Sequence, residues 1–218
     1  MANRLAIVLA AGKGTRMETD LPKVLVPVCG RPLIDYVLDA VEAAGVTQTI
    51  VVIGYRGELV REALADREHV AFVEQTEQLG TGHAVQVCHE HVAAWDGSVL
   101  VVTGDSPLTQ PTSLSKLLDL YDAERPACVI GTLIKDDPTG CGRVVRDAEG
   151  NFQAIVEQKD ASESEAAIKE VSMSTYVFDA ANLIPTLAQL KNNNQQGEFY
   201  ITDCPGILKD EGKDVRAL

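Results

Sequence analysis

Leu5-Ala6-Ile7-Val8-Leu9 is an unbroken aliphatic run closed by Ala10-Ala11-Gly12. A strand with one wet face alternates apolar and polar residues, and this one does not, so both of its faces must be covered. A strand buried on both sides belongs to a sheet sandwiched between helices, which restricts the chain to the α/β class.

The rest of the first half repeats that logic. Pro32 opens a segment in which Leu33, Tyr36, Val37, Ala40, Val41 and Ala44 recur at steps of three and four before Gly45, predicting an amphipathic helix with a glycine stop. A strand follows at 49–54, a helix at 57–66, a short strand at 70–73, a helix from about Thr81 and an aliphatic strand at 99–102 that runs into Thr103-Gly104-Asp105. Strand–helix alternation with short loops implies right-handed crossovers and a Rossmann-like, mainly parallel sheet with helices on both faces.

Beyond a helix at 111–124 the texture changes. ACVIGTLI, GRVVRD and FQAIVEQ read as strands with little helix between them, and DAEGN is a turn signal, so the second half is antiparallel or mixed. SMSTYVF (172–178) adds a strand, DAANLIPTLAQL a helix begun or interrupted at Pro185, FYITDCPGILKDEG a final helix perturbed by Pro205-Gly206, and DVRAL the opening of another strand. Without repeats or low-complexity linkers, one domain over 1–218 is expected, the change of texture dividing it into halves 1–110 and 111–218.

Charge is segregated. The chain carries 19 Lys+Arg against 32 Asp+Glu, a formal net charge of −13, yet residues 1–31 hold five basic side chains (Arg4, Lys13, Arg16, Lys23, Arg31) and two acidic ones (Glu18, Asp20). A nucleic-acid-coating protein needs a broad basic face, so a small anionic ligand fits better and no nucleic-acid partner is expected. No run approaches the ~20 apolar residues of a membrane span, and a signal-peptide pattern is missing, so a cytoplasmic protein without a membrane partner is expected. Cys29, Cys88, Cys128, Cys141 and Cys204 are odd in number and scattered, which suits reduced thiols. Cys88, His89 and His91 cluster without a second pair at zinc spacing and read as a core thiol and two partly exposed imidazoles.

The loop after the first strand, LAAGKGTRMETDLPKVL (9–25), concentrates the cations. In open α/β sheets ligands collect beyond the carboxyl ends of the strands. Gly12 and Gly14 allow positive φ and close backbone approach, so consecutive N–H groups can point at one anion that Lys13, Arg16 and Lys23 neutralise. The loop is neither a Walker loop nor a dinucleotide fingerprint, whose third glycine is replaced by Met17. On these residues alone a phosphate loop and a solvated glycine turn stand about even.

The order LAAGKGTRM then LPKVL resembles the signature of the sugar-1-phosphate nucleotidyltransferases. That resemblance implies the nucleotide-diphospho-sugar transferase fold, with Leu9, Ala10, Ala11, Gly12, Lys13 and Gly14 wrapping the nucleotide. Arg16 would stabilise charge on departing pyrophosphate and Lys23 would hold phosphate oxygens opposite it.

EQTEQLGTGHA (74–84) resembles the uridine-recognising loop of the N-acetylglucosamine-1-phosphate uridyltransferases. Gln75 and Gln78 offer amides that can match the acceptor–donor–acceptor edge of uracil, Gly80 lets backbone approach the base, and Thr81 is a nucleotide contact and the expected N-cap of the following helix. His83 reads as structural. Asp105, at the end of an aliphatic strand in VVTGDSPL, is by itself a turn or cap residue as readily as a ligand. The family's Gly-Asp-x-Pro-Leu motif makes it the Mg²⁺ carboxylate, with Gly104 beside the sugar, and a hard oxygen donor suits a cation that binds one or two carboxylates plus substrate phosphates.

DDPTGCGRVV (136–145) resembles the family's Asp-Pro-x-Gly-Tyr-Gly-Arg segment, with Cys141 in place of tyrosine and Gly142 offering backbone to the sugar. Glu157 matches the carboxylate that bonds sugar hydroxyls, and Thr202, in NNNQQGEFYITD, matches a sugar-phosphate contact. Ser172-Met173-Ser174 stands where the family has Asn-Thr-Gly, so Ser172 takes the sugar-side position and Met173 crowds the pocket. The family's second metal side chain and the β-helix acetyltransferase domain of its bifunctional members are not expected within these 218 residues.

The resemblance implies Mg-dependent synthesis of UDP-N-acetylglucosamine and pyrophosphate from UTP and N-acetylglucosamine-1-phosphate by in-line displacement. The alternatives are another pairing of nucleotide and sugar phosphate, such as thymidylyl transfer to glucose-1-phosphate, and a nucleotide-sugar-binding homologue without turnover. Oligomeric state is not fixed by the sequence.

Overall fold

The computed structural model describes residues 3–14, 17 and 19–218. The first half alternates as expected: β1 (Arg4–Ala10), α1 (Leu33–Ala43), β4 (Gln48–Ile53), α2 (Gly57–Ala63), β5 (Val70–Glu74), α3 (Thr81–Gln86) with α4 (His89–Ala93), β6 (Ser98–Thr103) and α5 (Pro111–Glu124). Between β1 and α1 a small hairpin pairs β2 (Pro27–Val28) with β3 (Arg31–Pro32), turning at Cys29 and Gly30, both at positive φ. The helix expected from Thr81 is split in two between Gln86 and His89.

The second half contains β7 (Cys128–Ile134), β8 (Arg143–Arg146), β9 (Phe152–Val156), a one-turn α6 (Glu163–Ala166), β10 (Glu170–Asp179), α7 (Ala180–Leu187), α8 (Cys204–Asp210) and β11 (Val215–Ala217). The expected strand at 172–178 is longer at both ends, and it bulges between Ser172 and Tyr176 with Ser174 at φ 52°. Pro185 neither begins nor interrupts α7 but lies inside it. Only the bond to the carbonyl of Ala181 is forfeited so near the helix start, and Asp179 caps that start by accepting from the Asn182 N–H. Pro205 sits in the first turn of α8, where a missing N–H costs nothing, and a 3₁₀ turn at Ile201–Asp203 precedes it.

One sheet runs β11-β7-β10-β6-β1-β4-β5, with β8 and β9 attached beside β10. β1 is parallel to β4 and β6, β4 to β5, and β11 to β7, whereas β10 runs antiparallel to both β6 and β7. The double burial read from the aliphatic runs is explicit. Leu5, Ile7, Ile50, Val52, Val99 and Val101 enter one core with α3, α4, α7 and α8, while Ala6, Val8, Val51, Ile53, Leu100 and Val102 enter the other with α1, α2 and α5. From β1 the chain winds outward through β4 and β5, then returns to place β6 on the other side of β1. The connections therefore diverge at β1/β6, which opens a crevice at the carboxyl edge of those two strands.

Candidate active site

The loops following β1 and β6 emerge side by side into that crevice. Gly104 N–H is bonded to the Leu9 carbonyl at 2.9 Å, so the strand ends are fastened where the loops begin. Asp105, one residue further on, forms an ion pair with Lys23 Nζ, which reaches it from the 3₁₀ turn Lys23–Leu25. The side chains are 34% and 24% exposed, so the pair stands in a cleft wall. Gly14, at φ 68°, leaves space for the Lys23 stem: a Cβ there would lie 2.7 Å from that of Lys23. Gly12 is not in the left-handed region and has open space where a Cβ would be, so of the two glycines only Gly14 needs positive φ. Lys13 rests its ammonium 5.2 Å from the Tyr55 ring centroid. Arg16 lies outside the described residues.

Two clefts meet at this pair. One, about 810 Å³, is lined by Leu9, Ala10, Ala11, Gly12, Lys13, Gly14, Gln75, Gln78, Gly80 and Thr81, the expected nucleotide contacts apart from Arg16. The other, about 830 Å³, is lined among others by Gly142, Glu157, Ser172 and Thr202. Lys23, Thr103 and Asp105 line both. Of the expected sugar-side residues only Gly104 lines neither; it is packed under the floor against Leu9, Val24 and Val8.

The glutamine loop is built differently from expectation. Gln75 is 3% exposed, and its amide nitrogen donates to the Gly80 carbonyl at 3.0 Å and faces His83 Nδ1 at 3.1 Å. An amide nitrogen can only donate, so Nδ1 is the acceptor in this contact, which ties His83 to the loop. Gln75 thus spends its donor on shaping the loop, while Gln78 is exposed at the mouth. Thr81 is not the N-cap of α3. Gly80 holds that position at φ 109°, and Thr81 Oγ1 accepts from the Ile201 N–H at 3.1 Å. The Gly82 N–H donates to Phe199 O and the Phe199 N–H to Leu79 O, so the loop is laced to residues 199–201. The sequence carried no signal for this lacing, nor for Glu198 lining the nucleotide-side cleft.

On the other side Thr202 donates its hydroxyl to Glu157 at 3.0 Å. Burial pushes the Glu157 carboxyl up, the Thr202 hydroxyl opposes that, and Asp160 adds to it. Asp203 is raised to about 6 by burial, with Glu157 and Asp160 contributing. Ser172 is buried, its hydroxyl 2.9 Å from that of Tyr176 and accepting from the Ser174 N–H, so its side chain braces the bulge. Met173 is 45% exposed on the cleft wall, and Lys135 Nζ lies 3.5 Å from Cys141 Sγ. The segment match ends on Arg143 without giving it a role; its buried guanidinium reaches the loop carrying Gly142.

The chain matches the MobA-like NTP transferase domain over residues 6–200. It belongs to that family. Within it, the chain is 46% identical over 217 residues to the bifunctional protein GlmU of Enterococcus faecalis, covering 100% of this chain and 47% of that protein. It is 47% identical over 214 residues to GlmU of an Exiguobacterium species, covering 98% and 47% respectively. The chain therefore spans about half the length of these relatives. A crystal structure of UDP-glucose pyrophosphorylase complexed with UDP-glucose overlays at a TM-score of 0.81 and 18% identity, covering 100% of this chain and 91% of that one. That overlay shows the nucleotide-diphospho-sugar transferase fold of this MobA-like domain. No helix among the described residues is long and apolar enough to cross a membrane.

Proposed function

We propose that this domain catalyses uridylyl transfer from UTP to N-acetylglucosamine-1-phosphate, releasing pyrophosphate and forming UDP-N-acetylglucosamine. The observation that carries the reading is the meeting of two clefts at Lys23 and Asp105, because a reaction joining a nucleotide to a second phosphate needs both in one crevice. Residues 9–14 supply backbone N–H groups and Lys13 to the triphosphate, and Gln78, Gly80 and Thr81 face the base. Gly142, Glu157 and Thr202 line the sugar side, with Ser172 holding the wall behind them.

A phosphate oxygen of the sugar phosphate attacks the α-phosphorus of UTP while the bond from that phosphorus to the bridging oxygen breaks, and the electron pair leaves with pyrophosphate. Neither a covalent enzyme intermediate nor a general base is required, since an ionised phosphate is already the nucleophile. Catalysis comes from alignment and from fixed cations that meet the developing charge. In this reading Lys23 holds phosphate oxygens on the side opposite Arg16, which meets the charge of the leaving pyrophosphate.

The donor set at Asp105 fits Mg²⁺: one hard carboxylate in the shared wall, with room for phosphate oxygens on both sides. When bound, Mg²⁺ supplies charge neutralisation on the phosphates.

The test is Mg²⁺-dependent pyrophosphate release with UTP and N-acetylglucosamine-1-phosphate, against a panel of four nucleoside triphosphates and glucose-1-phosphate. Release from this pair above all others supports the reading. Preference for a thymidine triphosphate and glucose-1-phosphate pair replaces it, a change for which Cys141 and Met173 on the sugar wall are the relevant observation. Calorimetric binding of UTP without release in any combination overturns it.

A further inference from the structure

Arg143 is 2% exposed, and none of the ion pairs among the described residues includes it. A charge taken out of water is normally met by a carboxylate, because leaving it uncompensated is costly. This guanidinium is met by neutral oxygens instead. Nη1 donates to the Cys141 carbonyl, Nε and Nη2 each to the Ala166 carbonyl at 3.3 Å, and Nη2 to Gln158 Oε1 at 2.8 Å. Gln158 Oε1 also accepts the Gly140 N–H at 3.1 Å.

These acceptors belong to three separate pieces of backbone: the loop before β8, the residue pair after β9 and the end of α6. A planar fork with five donors can span them, whereas a point charge cannot. The pieces it joins carry the sugar-side groups. Gly142 is the chain neighbour of Arg143 and its N–H has no partner among the described residues, while its carbonyl accepts from the Ser172 N–H. Glu157 is the chain neighbour of Gln158, and a Cβ on Gly142 would lie 3.5 Å from its Oε1. The fork therefore sets how far a free N–H donor stands from a carboxylate acceptor, the complement of hydroxyls that both accept and donate.

We propose that Arg143 is a positioning residue for the polyol part of the sugar phosphate, holding the Gly142 N–H and the Glu157 carboxylate in register through the Cys141 carbonyl and Gln158. This rests on the functional reading above. The isolated negative balance of the chain plays no part in it; the clasp acts through geometry.

The test uses Arg143→Lys, Gln158→Ala and Gln158→Glu in the whole chain, with steady-state kinetics and hydrogen exchange by mass spectrometry. Misplacement of binding groups by a fraction of an ångström raises the KM for N-acetylglucosamine-1-phosphate about tenfold in Arg143→Lys and Gln158→Ala, with the KM for UTP within about twofold. Gln158→Glu, which keeps the acceptor, restores most of the affinity lost in Gln158→Ala. Exchange accelerates in residues 139–142 and not in 9–14. A parallel rise in both KM values, or an unchanged sugar-phosphate KM in soluble, folded protein, overturns the proposal. Should Arg143→Lys fail to fold, the two Gln158 variants decide. Should the wild-type chain release no pyrophosphate with any sugar phosphate, the functional reading fails, and unchanged exchange at 139–142 still overturns the clasp.

Discussion

Lys23 and Asp105 are bound to each other across the seam of the two clefts. Each is thus held by the other at the place where a phosphate and its counter-ion would meet, so the ammonium competes with any cation for the Asp105 carboxylate. Lys23→Ala is expected to bind Mn²⁺ about tenfold more tightly than the wild type in the absence of nucleotide, read by electron paramagnetic resonance, since one opposing unit charge is removed. Its turnover is expected to fall by about 10²–10³, because a cation aimed at developing charge has gone. Unchanged Mn²⁺ affinity would show that the pair does not gate the carboxylate.

Gly12 and Gly80 separate ligand approach from backbone strain. Gly80 stands at φ 109° with Phe199 O 2.5 Å from where a Cβ would lie, so Gly80→Ala is expected to cost about 1–3 kcal/mol and to loosen the lacing to residues 199–201. Gly12 has ordinary φ and open space, so Gly12→Ala is expected to keep the wild-type thermal midpoint while raising the KM for UTP about tenfold, the added methyl standing where phosphate must come. Equal midpoints together with equal KM values would place the triphosphate away from Gly12.

The layering was legible in the sequence because it depends on period. Unbroken aliphatic runs at 5–9 and 99–102 demand two covered faces, and the core sorts their residues alternately onto α3, α4, α7 and α8 or onto α1, α2 and α5. The clefts were legible because ordered motifs lie at the carboxyl edges of adjacent strands. What escaped was non-local. Thr81 fits a cap by type, yet its hydroxyl is taken by the Ile201 N–H, 120 residues away. Gln75 fits a base reader by type, yet the Gly80 carbonyl and His83 claim its donor. Arg143 closes the Asp-Pro-x-Gly-Tyr-Gly-Arg segment by order alone, and only the approach of β8, β9 and α6 around it gives its guanidinium acceptors. α6 is too short for any periodic signal, and its mark in the sequence is the Ser162–Glu165 capping box.

Asp203 gives a pH signature of stability. Burial raises its carboxyl to about 6 from an ordinary 3.8, so the folded state holds the proton more tightly than the unfolded one. The contribution is favourable below pH 3.8 and is lost as pH rises through about 6, leaving a half-buried carboxylate with no partner among the described residues at neutral pH. Asp203→Asn is therefore expected to raise the thermal midpoint at pH 7.5 and to leave it nearly unchanged at pH 4. A gain of the same size at both values would mean that the change acts through packing or capping rather than through the proton.

Cys141 reports on the sugar-side cleft. All five cysteines are free: Cys88, Cys128 and Cys204 are buried, Cys29 is exposed, and Cys141 is half-buried in the cleft wall beside the Lys135 ammonium. Burial pushes the Cys88 thiol up to about 12 and raises Cys128 and Cys204 as well, so these three carry almost no reactive thiolate at neutral pH. Iodoacetamide is expected to label Cys29 and Cys141 first, as located by peptide mass spectrometry. N-acetylglucosamine-1-phosphate at saturation is expected to slow labelling at Cys141 severalfold and to leave Cys29 unaffected, because only the former lines the space that the sugar would fill. Equal labelling of Cys141 with and without the sugar phosphate would remove that ligand from the cleft formed by Gly142, Glu157 and Thr202.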